Sequence, residues 1–377
     1  MQRPPFECIA LVLQGGGALG SYQAGVYEAL AAIDLHPDWV AGISIGAINA
    51  AIIAGNAPNQ RVAKLKEFWD NVTSNPFLDW ATMADYMAPQ GNIARGFFNQ
   101  ISASVSLTAG ANDFFEPRTP APYFQPEGTI GATSFYDTSK LRTTLERLVD
   151  FDRINHDGMR LSVGAVNVRT GNFAYFDTTQ TTIRPEHILA SCSLPPGFAA
   201  TEIDGEFYWD GGLVSNTPLQ WVVDGATRQD TLAFQIDLWP SRGKLPRNLT
   251  DVAIRQKEIQ YSSRTRAGTD QFERLQNVRC ALAGLLADLP PELQNHKDMA
   301  MLKDVADHKV YNIVHLIYRS QQYESHSKDY DFSHLAMNEH WLSGLKDAEH
   351  TLKQPEIFER PTNQEGVLTF DYLQKNT

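Results

Sequence analysis

The chain has 377 residues, enough for one large domain or two ordinary ones, and its 42% hydrophobic and 20% charged residues are the balance of a globular protein. A net charge of −12 argues against nucleic acid and against electrostatic docking on anionic membranes, since both recruit clustered Lys and Arg. Cys8, Cys192 and Cys280 form no CxxC pair, so no metal site, redox motif or disulfide framework is expected, and a reducing compartment is the simpler reading.

In chain order, the apolar run Cys8–Leu13 is too short for a signal-peptide core and reads as a buried strand running into glycines. No stretch approaches the ~18 apolar residues of a membrane-spanning helix, and a cytoplasmic location is expected. Gly15–Gly20 is a glycine-rich turn, and Ser21–Ala32 a helix with Tyr22, Val26, Ala29 and Leu30 on one face. Trp39–Ile43 is a second strand and Ile45–Ala54 a small-residue helix, the alternation of a parallel α/β sheet. Arg61–Val72 is an amphipathic helix. From Ile101 to Tyr136 the chain is rich in Pro, Gly, Ser, Thr and aromatics and reads as a long loop; its part Phe114–Tyr136 suits a lid or acyl groove as well as an ordinary surface loop.

Thr138–Val149 returns to helix. Leu161–Val168 and Asn172–Asp177 read as strands joined at Arg169-Thr170-Gly171, Pro185–Ser191 as a short helix, and Phe207–Trp209 and Thr231–Leu238 as strands. Beyond Pro240 the character shifts. Asp251–Leu286 is long, charged and helical, Val310–Tyr318 alternates like a strand, and Leu335–Leu352 is a last helix. Residues 1–240 are therefore expected to form one domain, and 241–377 a mostly helical C-terminal extension with one strand.

Three patterns carry chemistry. Gly42-Ile43-Ser44-Ile45-Gly46 is a G-x-S-x-G between a predicted strand and a predicted helix, the context of a nucleophile elbow. A tight turn there exposes the serine oxygen, and the helix directs its positive end toward it. Gly15-Gly16-Gly17-Ala18-Leu19-Gly20 offers successive N–H groups for an oxyanion hole. Gly15, Gly17 and Gly20 also satisfy a dinucleotide G-x-G-x-x-G, but the next strand ends in Ile43-Ser44 rather than in the acidic residue that fingerprint needs. Asp210-Gly211-Gly212 at a strand end places a carboxylate where it could act as general base, and a hairpin turn would produce the same three residues. A triad completed by His315 or His340 fits the chain order of α/β-hydrolases but is the weaker choice: His315 reads as a sheet residue, and His187 as facing solvent or capping a helix.

Taken together, these motifs resemble the patatin-like phospholipase family. Ala190-Ser191-Cys192-Ser193-Leu194-Pro195-Pro196 and Gly212-Leu213-Val214-Ser215-Asn216-Thr217-Pro218 are similar to the segments flanking the family's aspartate, and the resemblance spans Ile9 to Asp237. It implies a three-layer α/β/α sandwich with a mainly parallel sheet. It also implies a Ser44–Asp210 dyad without histidine, an oxyanion hole from Gly15, Gly16 and Gly17, and supporting motif glycines Gly20, Gly42, Gly46, Gly211 and Gly212. The implied reaction is acyl-ester hydrolysis of a lipid through an acyl-serine, with no metal or cofactor. Many members carry Arg or Lys where this chain has Leu19, which weakens any role of the loop in binding a lipid phosphate.

Rival expectations stay open at this level: a polyester, hydroxyacyl-oligomer or thioester substrate for the same dyad; nucleotide binding through the glycine loop; or a non-catalytic interaction protein. The extension is the surface expected to serve a partner or a second copy of the chain, and transient contact with a membrane surface is compatible with a lipid substrate.

Overall fold

The computed structural model describes residues 2–74, 92–156, 158–225, 228–290, 293, 296–321, 323–324, 326–362 and 366–373. The first apolar run, Cys8–Leu13, is strand β1. Its Cys8, Ala10 and Val12 enter one apolar cluster, and Ile9, Leu11 and Leu13 enter another. Both faces are covered, which is why the run is apolar throughout instead of alternating.

Among the described residues, eight more strands complete a mixed sheet: β2 (Trp39–Ile43), β3 (Arg160–Asn167), β4 (Phe173–Asp177), β5 (Thr201–Ile203), β6 (Glu206–Asp210), β7 (Thr231–Asp237), β8 (Tyr311–Ile317) and β9 (Val367–Phe370). The order is β9-β8-β7-β1-β2-β3-β6-β5, with β4 also paired to β3. Neighbours from β9 to β3 run parallel; β4, β5 and β6 join antiparallel.

Helices cover both faces. The cluster of Ile9, Leu11 and Leu13 gathers α1 (Gly20–Ala32), α2 (Ile45–Ala54), α3 (Pro58–Thr73) and the late helix His334–Thr351; that of Cys8, Ala10 and Val12 gathers Leu219–Val223 and, through Phe272, the long helix Leu249–Ala287. This is the expected α/β/α layering. Among the described residues, no helix is long and apolar enough to cross a membrane.

Four expectations need correction. Helix α1 is buried almost all round, not on one face, because it lies between the sheet side and the late helix. The expected loop from Ile101 begins inside a helix, Asn92–Ala109. Strand β8 is buried on both faces and does not alternate. The extension, largely helical as expected, supplies two strands instead of one, β8 and β9, and both continue the central sheet from β7. The Asp204-Gly205 turn also joins a strand that the sequence reading missed, β5, to β6.

Candidate active site

The site lies at the carboxyl ends of the parallel strands, where the loops after β1, β2 and β6 converge. Pairing along β3 explains the convergence. The last residue of β2, Ile43, lies opposite Gly164; one step on, Ala165 lies opposite Asp210. Strand β3 thus changes partner from β2 to β6 at that point, and Ser44 and Asp210 emerge side by side. On the other flank, Leu13 of β1 pairs with Gly42, which brings Gln14 and the glycine loop up to the same edge.

Ser44 occupies φ 56°, ψ −128°, a backbone region that a residue with a side chain enters at a cost of ~1–3 kcal/mol. The turn is over-determined. A Cβ on Gly42 would lie 2.3 Å from the Gly46 carbonyl oxygen, and one on Gly46 would lie 2.4 Å from that of Leu13. The Ser44 N–H donates to Ser191 Oγ at 3.0 Å, and Ser191 Oγ donates onward to the Gly164 carbonyl at 2.7 Å. Cys192 Sγ donates to the Ser44 carbonyl at 3.1 Å. Helix α2 begins at the next residue, so its positive end faces the serine.

Asp210 is buried, 1% exposed, and its carboxyl is close enough to the Ser44 hydroxyl to be stabilised by it. It also accepts the Gly212 N–H at 2.7 Å, which caps the short 3-10 turn Gly211–Leu213. Burial pushes its carboxyl up to about 7 from an ordinary 3.8, although the neighbouring Ser44 hydroxyl and the Gly212 N–H pull it down.

In the glycine loop, the Gly15 N–H is taken by the Asn216 carbonyl at 3.2 Å, and the Gly15 carbonyl accepts Asn216 Nδ2 at 2.9 Å and Trp239 Nε1 at 3.0 Å. The first of the three expected donors is therefore occupied. The N–H groups of Gly16 and Gly17 have no hydrogen-bond partner among the described residues. Gly17, at φ 57°, has the Asp329 carbonyl so close that a Cβ there would lie 2.1 Å from its oxygen, and Ala18 N–H donates to that oxygen at 2.8 Å. A Cβ on Gly15 would lie 3.0 Å from Ser44 Cβ, which fixes the loop directly beside the serine.

The candidate histidines lie in other settings. His315 is beside Asp237 at 3.8 Å, and His340 hydrogen-bonds Glu324 at 2.7 Å. His187 caps its helix by accepting the Arg184 N–H at 2.9 Å; it is buried instead of facing solvent.

Several residues escaped the sequence reading. Gln14, fully buried, accepts the N–H groups of Leu238 and Trp239 at 2.6 and 2.9 Å and donates to Thr217 Oγ1 at 2.9 Å. A lone amide between an apolar run and a glycine turn was the available signal. Asn216 and Ser191 stand out in the sequence only as members of longer motifs. From the stretch considered as a lid, Phe114 and Phe115 pack with Tyr136, Phe198 and Phe332 as a buried aromatic cluster, whereas Tyr123 and Phe124 stand exposed. A cavity of about 1010 Å³ lies beside the aspartate loop, lined by Gly212, Leu213, Asn216, Tyr175, Trp221 and Tyr261 among others; Ser44 is not in its wall.

A family model described as patatin-like phospholipase matches residues 11–222, more than half of the chain. The chain belongs to the patatin-like phospholipase family. At that level it is a lipid hydrolase. A second model, described as patatin phospholipase, matches residues 259–364, so the extension of this patatin-like protein, including β8, is itself a recognised segment. No curated protein matches the chain. Among solved structures, the chain is similar to VipD from Legionella pneumophila, with 14% identity, 94% of this chain and 70% of that chain covered, and a TM-score of 0.42. It is also similar to the type III effector protein ExoU, with 16% identity, 80% and 62% covered, and a TM-score of 0.23.

Proposed function

We propose that the protein hydrolyses acyl esters of lipids by a Ser44–Asp210 dyad through an acyl-serine intermediate. The observation that carries this reading is the buried Asp210 carboxyl, raised to about 7 and set beside a serine in a strained turn by the strand register. A free aspartate is a poor base at neutral pH, and raising its pKa by about three units makes proton transfer easier by roughly 4 kcal/mol. Ionised Asp210 takes the Ser44 hydroxyl proton as Oγ attacks the ester carbonyl. Gly16 and Gly17 donate their unengaged N–H groups to the developing oxyanion, while Gly15 anchors the loop. Asp210 then returns the proton to the leaving alkoxide. Deacylation repeats the cycle with water as nucleophile and frees the fatty acid.

The family supports a lipid substrate, and the exposed Leu213 next to the aspartate offers an apolar approach. The test is labelling of the full-length protein by a fluorophosphonate, located by peptide mass spectrometry, beside assays on lysophospholipid, diacyl phospholipid and triacylglycerol. Label on Ser44, with release of fatty acid abolished by Ser44→Ala, is expected. Fatty acid release undiminished in Ser44→Ala, or label at another residue, would overturn the proposal.

A further inference from the structure

The geometry points to Lys257 and Asp329 as a positioning pair by which the C-terminal extension holds the glycine loop in its donor geometry; as a statement about catalysis, this rests on the dyad reading above. The loop has two anchors. At Gly15 it is held by Asn216 and by the Trp239 indole. At Gly17 and Ala18 the anchor is the backbone carbonyl of Asp329, seated against Gly17 and accepting the Ala18 N–H at 2.8 Å. The two unengaged N–H groups lie between these anchors, so their direction depends on where the Asp329 carbonyl sits.

That carbonyl belongs to a turn closed by Tyr330 N–H donating to Ser327 O at 3.0 Å. One ammonium group braces the turn from outside. Lys257 Nζ donates to the His326 carbonyl at 2.9 Å and to the two Asp329 carboxylate oxygens at 2.7 and 2.9 Å, with the Tyr330 ring 4.9 Å away. These bonds fill the three donors of the ammonium at a single turn. Both side chains are mostly shielded, 28% and 21% exposed, so the pair is less weakened by water than a surface ion pair.

The same helix face repeats the arrangement. Glu258 lies 3.7 Å from the buried ammonium of Lys328, which stands 5.0 Å from the ring of Trp239, the residue that holds Gly15. The Tyr261 carbonyl accepts from Asn216 and Gln14, both at 3.3 Å. Positions 257, 258 and 261 of one long helix thus address the three segments that meet behind the glycine loop. Lys257 acts through the loop, not on the ester.

Full-length Lys257→Met and Asp329→Asn test this, with Lys257→Arg as the variant that keeps the charge. Expected are a fall in kcat of ~10–100-fold, the range set by small misplacements of an oxyanion donor, and a KM within about twofold of wild type. Lys257→Arg should recover most of the rate, and the double variant should be no worse than the worse single one. Amide hydrogen exchange of a peptide covering 14–20 should quicken in both single variants while that of a peptide covering 45–54 is unchanged. If Lys257→Met does not fold, Asp329→Asn carries the decision. Folded variants with wild-type kcat and unchanged exchange at 14–20 would overturn the inference, as would a loss confined to KM. Absence of label on Ser44 in the wild-type protein would instead sink the dyad reading, and the exchange experiment would still decide whether the pair positions the loop.

Discussion

Replacing Asp210 with asparagine removes one ionisable proton and keeps the shape of the group, so its effect on stability can be worked from the site. The native carboxyl titrates at about 7 and the unfolded one near 3.8. Below about pH 4 both are protonated and the group costs nothing. As the pH rises, the unfolded carboxyl ionises first, and native stability falls until the folded carboxyl ionises near pH 7; above that the penalty is constant. About three units at ~1.36 kcal/mol each give a penalty of up to roughly 4 kcal/mol at pH 8. The asparagine side chain cannot ionise and escapes it. The assay is the difference in melting temperature between Asp210→Asn and wild type, measured from pH 4 to pH 9. The difference should grow in favour of the variant between pH 4 and pH 7 and then level, while hydrolysis is lost throughout. Parallel melting curves across that range would show that Asp210 does not titrate there and would refute the reasoning.

Other substitutions probe the remaining geometry. For the wild-type protein, the rate of fluorophosphonate labelling should rise tenfold per pH unit up to about 7 and then flatten, since Asp210 must be ionised to act as base; a flat profile from pH 5 to pH 9 would contradict this. Gly17→Ala forces a methyl toward the Asp329 carbonyl at a left-handed position, and kcat should fall ~10²–10³-fold, measured on a short-chain ester. Ser191→Ala takes the acceptor from the Ser44 N–H; a loss of about 1–3 kcal/mol in stability and a reduced labelling rate are expected from melting and probe kinetics. Gln14→Leu strands the N–H groups of Leu238 and Trp239 in the interior, and a thermal melt should show at least ~2 kcal/mol of destabilisation.

The local parts of the site were legible because local constraints write them. A serine in a strained turn needs small neighbours at 42 and 46, and a loop pressed against a carbonyl needs glycine at 17. What joined Ser44 to Asp210 was not local. It depends on β3 exchanging one neighbour for another between Gly164 and Ala165, which no motif encodes; the residues alone left Asp210 as either a general base or a hairpin turn, and the family resemblance favoured the pair. The helix Asn92–Ala109 was missed for a different reason. Its Ser and Thr residues weaken helix propensity, yet Ser104, Ser106 and Thr108 donate their hydroxyls back to the carbonyls of Gln100, Ser102 and Ser104, so the polar atoms are satisfied within the helix. Strand β9 is only four residues long, too short for a periodic signal, and its place is set by its parallel pairing with β8.

The outward continuation of the sheet from β7 to β8 and β9 has a consequence for how the protein is made. A ribosome emits the serine, the aspartate and β7 well before Asp329 and β8. At roughly 5–20 residues per second, the interval between Asp237 and Ile317 lasts several seconds. During that time β7 presents an open edge, the kind of surface that invites pairing with another chain. The glycine loop meanwhile lacks the carbonyl that seats it. A nascent chain therefore carries its glycine loop unseated until Asp329 and β8 arrive, so the candidate site is completed and the β7 edge covered in the same late step.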